Sequence, residues 1–403
     1  MKELRIIMKT ISILLVSLLL SCLQAYAAST INLTETNIHT SLISENTDYV
    51  VSTSINLKGN SIKIPKGSNL NFTNQGYFKN GTIYGNSSNI LAPNNQILFE
   101  NICIQGIWNC PQIYSSWMKF TEDGHNNRQC FQNLCNLSSD ECESVITISQ
   151  GHYNVSADAN THVVINVNSH TKIHIDGTIQ LLPNDFSSYS IINIANKQNV
   201  VLDGGGEIVG DVKHHKGSKG EWGMGIQIKS SRYVEIKNIS ISDCWGDCIY
   251  IGQQLDTNKD GYSSDITIKN VKCANGRRQG LSIITGKNII IERCKFFNTG
   301  AIKSTPPSSG IDIEPNTDFG VLDNIQIISC EFAGNNIGWD LLLTRMNLQS
   351  RVYVKDCAFP KGVRLAKQAL GAEFIECFIR AIEDKYDNAQ KMEWIDCTIL
   401  DTK

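Results

Sequence analysis

The chain has 403 residues, 41% hydrophobic and 19% charged, which is material for one or two domains with real cores and excludes a composition biased toward disorder. Its formal net charge is −3, so the basic excess of a general nucleic-acid binder is absent and no nucleic-acid partner is expected; an acidic ligand would have to meet a local patch.

In chain order, the first predicted element is a secretory signal peptide over 1–27. Lys9 follows a second methionine, Met8, and an apolar run over 11–20 leads to Ala25-Tyr26-Ala27, a small-x-small cleavage site. The mature protein is then expected to begin near Ala28 and to be periplasmic or secreted. Leu19-Leu20-Ser21-Cys22 offers an alternative, a lipobox whose acylated Cys22 would place the protein on a membrane. The apolar run is too short to span a bilayer, and no later segment has 18 apolar residues in succession.

Residues 28–117 alternate apolar and polar positions, as in Ile55-Asn56-Leu57, Ile62-Lys63-Ile64 and Leu70-Asn71-Phe72. They are expected to form β coils ahead of the main body, or a small β domain of their own. From about residue 145 a phrase recurs that ends in cysteine: Cys244, Cys273, Cys294, Cys330, Cys357, Cys377 and Cys397 each close a short Ile- and Val-rich alternating stretch, and most are followed by a turn and a second strand. Gaps of roughly 20 to 36 residues between them are those of a solenoid, whose coils bury their apolar rows only by stacking. The 14 cysteines therefore read mainly as a buried thiol stack, with Cys130, Cys135 and Cys142 as the disulfide candidates. No Cys-x-x-Cys or Cys/His spacing suggests zinc.

From about residue 118 on, the sequence resembles the pectate-lyase-like right-handed parallel β-helix superfamily, which includes polysaccharide lyases and related glycosidases. The resemblance is carried by Asp123-Gly124, by Gln129-Cys130-Phe131-Gln132-Asn133-Leu134, and by Val145-Ile146-Thr147-Ile148 with Gly151-His152-Tyr153. It implies an all-β right-handed parallel β-helix over 118–403, opened by a short N-terminal capping helix. Because this scaffold hosts lyases, hydrolases, epimerases and phage tailspikes, the resemblance leaves the activity open.

Aligning the second strand of successive coils on Ile226/Ile228, Ile249/Ile251, Leu281/Ile283, Ile311/Ile313 and Leu341/Leu343 puts Gln227, Tyr250, Ser282, Asp312 and Leu342 in one exposed column, with neighbours about 4.8 Å apart. The next outward column holds Lys229, Gly252, Ile284, Glu314 and Thr344. The preceding turns add Asp247, Arg277, Arg278, Gln279 and Asp340, and the segment 310–316 adds Asn316. Any one such charge would be ordinary on a solvated strand. Two adjacent arginines, two carboxylates at i and i+2 and a tyrosine on stacked coils form a candidate active site, with a surface ion-pair network as the alternative. An insertion over 211–222 is expected to overhang the same face and to bring His214, His215 and Trp222, the last as a sugar-stacking platform, with a flexible basic loop carrying Lys213, Lys216 and Lys219 as the alternative.

The first expectation is a lyase that cleaves a uronic-acid polysaccharide by β-elimination. Arg277 and Arg278 would grip the uronate, and Tyr250, His214, His215 or Lys229 would take the C5 proton. The runner-up is an inverting glycoside hydrolase using Asp312 and Asp247, two coils or about 9.6 Å apart along the stack. Gly246-Asp247-Cys248 resembles a shortened Gly-Asp-Asp-Cys motif of polygalacturonase-like hydrolases, but it has one aspartate, lacks a following Gly-His-Gly, and has Asn316-Thr317-Asp318 on the wrong side. A non-catalytic glycan-binding solenoid is the third class. Calcium is often used by pectate-lyase-like enzymes; Asp312, Glu314 and Asp247 are the groups that would assemble a site for it. A monomer is expected.

Overall fold

The computed structural model describes residues 29–121, 127–254, 261–316, 320–347 and 349–402. The signal segment, Cys22, the Asp123-Gly124 turn and Asp318 lie outside the described residues.

The alternation read from the sequence becomes three long parallel sheets wound around one core. Ten strands stack from His152–Val155 to Thr398–Ile399, nine from Val163–Asn166 to Ile382–Asp384, and eleven from Gln112–Tyr114 to Glu393–Ile395. Every pairing in them is parallel and joins each coil to the next, the arrangement of a right-handed β-helix. The apolar rows point inward as the period-2 pattern requires: Ile266, Ile268, Ile289, Ile291, Ile325 and Ile327 are all fully buried. Phe296, Phe332 and Phe359 stack on successive coils with ring centroids 5.4 and 5.0 Å apart.

Residues 30–108 form a separate seven-stranded parallel arrangement, from Thr30–Leu33 to Phe99–Trp108. The helix Asn127–Leu137 lies between it and the main stack, with Phe131, Leu134 and Leu137 buried. Its asparagines finish the edge of Phe99–Trp108: Asn133 accepts from Ile104 N at 2.9 Å and donates to Ile102 O at 2.7 Å, and Asn136 donates to Ile104 O at 2.7 Å. On the other side, Gln132 accepts from Asn166 N at 2.9 Å and donates to Asn166 O at 3.2 Å, at the first strand of the nine-stranded sheet. The expected capping helix is thus a polar plug between two strand edges.

The single thiol stack expected from the sequence divides in two. Cys294, Cys330, Cys357, Cys377 and Cys397 occupy one corner of five successive coils, each following a residue in the left-handed region: Arg293, Ser329, Asp356, Glu376 and Asp396. At each corner the thiol lies against the carbonyl two residues earlier and that of the preceding coil, as Cys357 does to Lys355 O at 3.2 Å and Ile327 O at 3.7 Å. Cys273 instead sits inside a strand, paired with Ile241 and Phe296, and clusters with Cys244 and Cys248. Cys273 and Cys294 both point into the core, as expected. The disulfide candidates are corrected: Cys130, Cys135 and Cys142 are free thiols, with Cys135 packed in the helix core and Cys130 directed at Lys119 O.

Candidate active site

The register expected for the outward column holds on every coil, with Gln227 beside Tyr250, Tyr250 beside Ser282, Ser282 beside Asp312 and Asp312 beside Leu342. Its exposure does not hold. Gln227 and Tyr250 are half-buried, whereas Ser282, Asp312 and Leu342 are buried. The cause is a break in alternation at the start of each strand. Cys248 and Ile249 both face the core, which leaves Asp247 on the outer side, and Gly280 and Gly310 take the position of Cys248 on the next two coils. A Cβ at Gly280 would lie 2.5 Å from Gly310 O and 2.8 Å from Phe296, so only glycine fits there. Asp247, Gln279 and Ser309 therefore make a second outer row that packs against the first.

The two rows cross-link on the diagonal. Ser282 Oγ donates to Asp247 Oδ2 at 2.7 Å, and Gln279 Nε2 donates to Asp312 Oδ2 at 2.6 Å. Arg278 Nη1 donates to the same Asp247 oxygen at 3.2 Å, and its Nε lies 3.9 Å from Glu221. Asp247 and Asp312 stand two coils apart, as expected, but Asp247 is also three residues earlier along the strand. The axial figure of about 9.6 Å is thus not the carboxyl separation, and no stereochemical outcome follows from it.

Burial raises the pKa of Asp247 to about 6, against the opposing pull of Arg278 and Ser282. Burial, then the neighbouring Glu314, holds Asp312 well above the ordinary carboxylate range, despite Arg278 and Gln279. Burial works against the charge of Arg278, but Asp247, Asp312, Glu221 and Glu314 together outweigh it and keep that guanidinium more firmly protonated than usual. Each aspartate keeps one oxygen, Oδ1, with no hydrogen-bond partner. Among the described residues, six of the eight buried side-chain polar atoms lacking a partner are Asp247 Oδ1, Asp312 Oδ1, Arg278 Nε, Ser309 Oγ, His215 Nε2 and Trp245 Nε1. Native interiors rarely tolerate such atoms, and here they gather in and around one site.

The remaining expected residues divide. Arg277 does not join Arg278: it lies over the Trp245 ring at 3.8 Å and donates to Gly220 O at 2.8 Å, so its guanidinium is already engaged. His215 is corrected from a ligand contact to a buried structural group. Its Nδ1 is 2.8 Å from Asp211 Oδ2, and its ring stacks on Trp245 at 3.8 Å. His214 is exposed and turns away from the cluster's hydrogen bonds, only its backbone N–H being engaged, to Asp211 O. Trp222, 52% exposed, directly follows Glu221 and stands at the rim. Glu314 lies 3.6 Å from Arg345, Asn316 is exposed, and Lys229 lies over the Tyr250 ring at 5.6 Å. Asp340 is tied by Asn335 and by the N–H groups of Lys361 and Gly362.

Sequence reasoning missed Asp211 and Trp245. Asp211 accepts from Tyr189 Oη at 2.8 Å and from Asn184 N and Nδ2, and so fixes the insertion to the solenoid. Its partners are up to 27 residues away, and no spacing marks them. Trp245 could have been flagged as the aromatic residue beside Gly246-Asp247.

Calcium finds no ready site among the groups named for it: Arg278 donates to Asp247, Glu314 lies 3.6 Å from Arg345, and among the described residues no group of three or more His, Cys, Asp or Glu is arranged to hold a metal.

No protein-family model matches the chain. Among curated proteins it is similar to the Bacillus subtilis SPbeta prophage-derived uncharacterized protein YorA, 31% identical over 178 residues, and to the uncharacterized protein YclG of the same organism, 29% identical over 188 residues. These matches take in 40% and 44% of this chain and only 30% and 32% of the relatives' own lengths. Among solved structures it resembles the surface protein and adhesin PfbA of Streptococcus pneumoniae, at 12% identity and a TM-score of 0.41 over 88% of each chain. It also resembles the tailspike protein gp49 of Acinetobacter baumannii bacteriophage Fri1, a capsular polysaccharide depolymerase, at 11% identity and a TM-score of 0.38 over 73% of this chain and 64% of that one.

Proposed function

We propose that the protein is an exported enzyme that acts on a polysaccharide by hydrolysing a glycosidic bond, with Asp312 as the general acid and Asp247 as the base. The observation that carries this reading is the pair of buried aspartates, each with one unpartnered oxygen and a raised pKa, on either side of Arg278. Glycoside hydrolysis needs two carboxyl groups, one protonated and one ionised, at the scissile bond. Asp312, raised by burial and by Glu314 beside it, suits the acid. Asp247, which Arg278 pulls toward ionisation, suits the base. Arg278 is the partner of Asp247 that reaches solvent, its side chain being 13% exposed, so displacement of that side chain by a sugar opens the pair. Trp222 at the rim offers a face to a sugar ring.

β-Elimination draws on the same arginines but finds less support. Arg277 is spent on Trp245, and Arg278 is already paired with Asp247 and lies 3.9 Å from Glu221, so neither guanidinium is open to a uronate.

The test is to incubate the native protein with pectin, alginate, chondroitin, hyaluronan and neutral glycans while following reducing ends and ultraviolet absorbance. New reducing ends without an unsaturated product are expected, and Asp312→Asn and Asp247→Asn should each lower turnover by roughly 10²- to 10⁴-fold, the range of general acid–base catalysis. An ultraviolet-absorbing product whose formation survives Asp312→Asn would replace this reading with the lyase.

A further inference from the structure

We infer that a second cavity, lined by Trp339, Lys361 and Arg380, binds an anionic sugar residue, carboxylated or sulfated, of the glycan chain that occupies the aspartate site. This rests on the glycan reading above and names the substrate class within it.

The cavity has a volume of about 600 Å³, the size of a small-molecule site. It is built by one corner of four successive coils, through Trp339-Asp340, Pro360-Lys361, Arg380-Ala381 and Leu400-Asp401. Earlier in the chain that same corner carries Trp245, Asp247, Arg277 and Arg278. Because Asp312 pairs with Leu342, the cavity begins on the coil next to Asp312 and runs along the stack for roughly 14 Å, three spacings of about 4.8 Å. A chain lying along the solenoid axis would cross both places.

The chemistry of the lining selects charge. Asp340 is already committed, because Asn335 Nδ2, Lys361 N and Gly362 N donate to it and burial raises its pKa. Arg380 is exposed. Its backbone N–H goes to Phe359 O, and its guanidinium makes no hydrogen bond or ion pair with any described residue. Lys361 is exposed in the same lining, and the half-buried Trp339 supplies a ring face. Asp401 lies in the same lining and is itself engaged, which leaves a guanidinium and an ammonium beside an aromatic face to meet a sugar that carries a carboxylate or sulfate. At the aspartates Arg278 is already engaged by Asp247 and by Glu221, so no open cation meets a ligand there. The fitting substrate therefore carries its negative charge away from the bond that is cleaved.

The test is titration calorimetry on Asp312→Asn, in which turnover is expected to be slowed by roughly 10²- to 10⁴-fold, with hexasaccharides of hyaluronan, chondroitin sulfate and polygalacturonate as anionic probes and with chitohexaose and cellohexaose as neutral ones. At least one anionic hexamer should bind ten-fold or more tightly than either neutral one, and more weakly as salt is added. Adding Lys361→Ala and Arg380→Ala should erase that preference, with circular dichroism showing an unchanged fold. No anionic preference, or a preference that survives the double substitution, overturns the inference. The two readings fail separately: charge-selective binding by a native protein that releases no reducing ends would leave the cavity standing and remove the hydrolytic reading.

Discussion

Asp247 sits where its charge is costly, and that cost is measurable. With a pKa of about 6 in the folded protein against an ordinary 3.8, folding favours its protonated form. The stabilising contribution is whole below pH 3.8 and is lost as pH rises through 6, an effect on the order of 3 kcal/mol for a group so fully buried. Asp312 works in the same direction. Calorimetric melts between pH 4 and 8 should show native Tm falling over the lower part of that range, from about pH 4 to about 6, and Asp247→Asn, which cannot ionise, should flatten that part of the fall. An identical slope in the two proteins would mean that Asp247 is ionised at little cost.

At the scale of one strand, the site depends on a broken alternation. Gly280 sits where a side chain would strike Gly310 O and Phe296, so Gly280→Ala should destabilise the protein by about 1–3 kcal/mol, the usual cost of overpacking, and should push Gln279 off Asp312. Urea unfolding reads the first effect and the activity assay the second; a variant with native stability and turnover would show that the coil yields freely. This break also marks the limit of what the sequence discloses. The column from Gln227 to Leu342 was legible because inward Ile-x-Ile pairs fix the side on which each intervening residue lies. The burial of Asp312 was not, because Asp247 read as part of the preceding turn, with no hint that Cys248 and Ile249 both face the core and set Asp247 in a second outer row. His215 read as a loop residue open to substrate for a related reason. Its burial comes from stacking on Trp245, a contact made only when successive coils meet, and from Asp211 four residues earlier, which Tyr189 and Asn184 hold in place.

Across the whole molecule, stability is handed from coil to coil, and the weak points are the places where stacking is interrupted. The helix Asn127–Leu137 is one such place, since side-chain amides there stand in for a missing strand. Asn133→Ala would leave Ile104 N and Ile102 O without their partners in a buried setting, a loss of about 2–4 kcal/mol. Hydrogen exchange should then show the amides of Phe99–Trp108 opening before those of the central coils; uniform loss of protection across both stacks would show that they unfold as one unit.

A solenoid that turns one corner of five successive coils on the same left-handed residue and cysteine can gain or lose length there only in whole coils. A duplicated coil would meet the same apolar rows and the same carbonyl acceptors on either side. A deletion of part of a coil would rotate everything downstream and carry Lys361 and Arg380 off the face that holds Asp312. Twenty residues separate Cys377 from Cys397, close to the least chain that closes a turn, whereas 36 separate Cys294 from Cys330. The surplus is housed largely in the loop between Lys295–Phe297 and Ser309–Ile313. Descent with altered length should therefore leave whole-coil steps in the barrel and irregular ones in that loop, beside the aspartates, where a new substrate would be met.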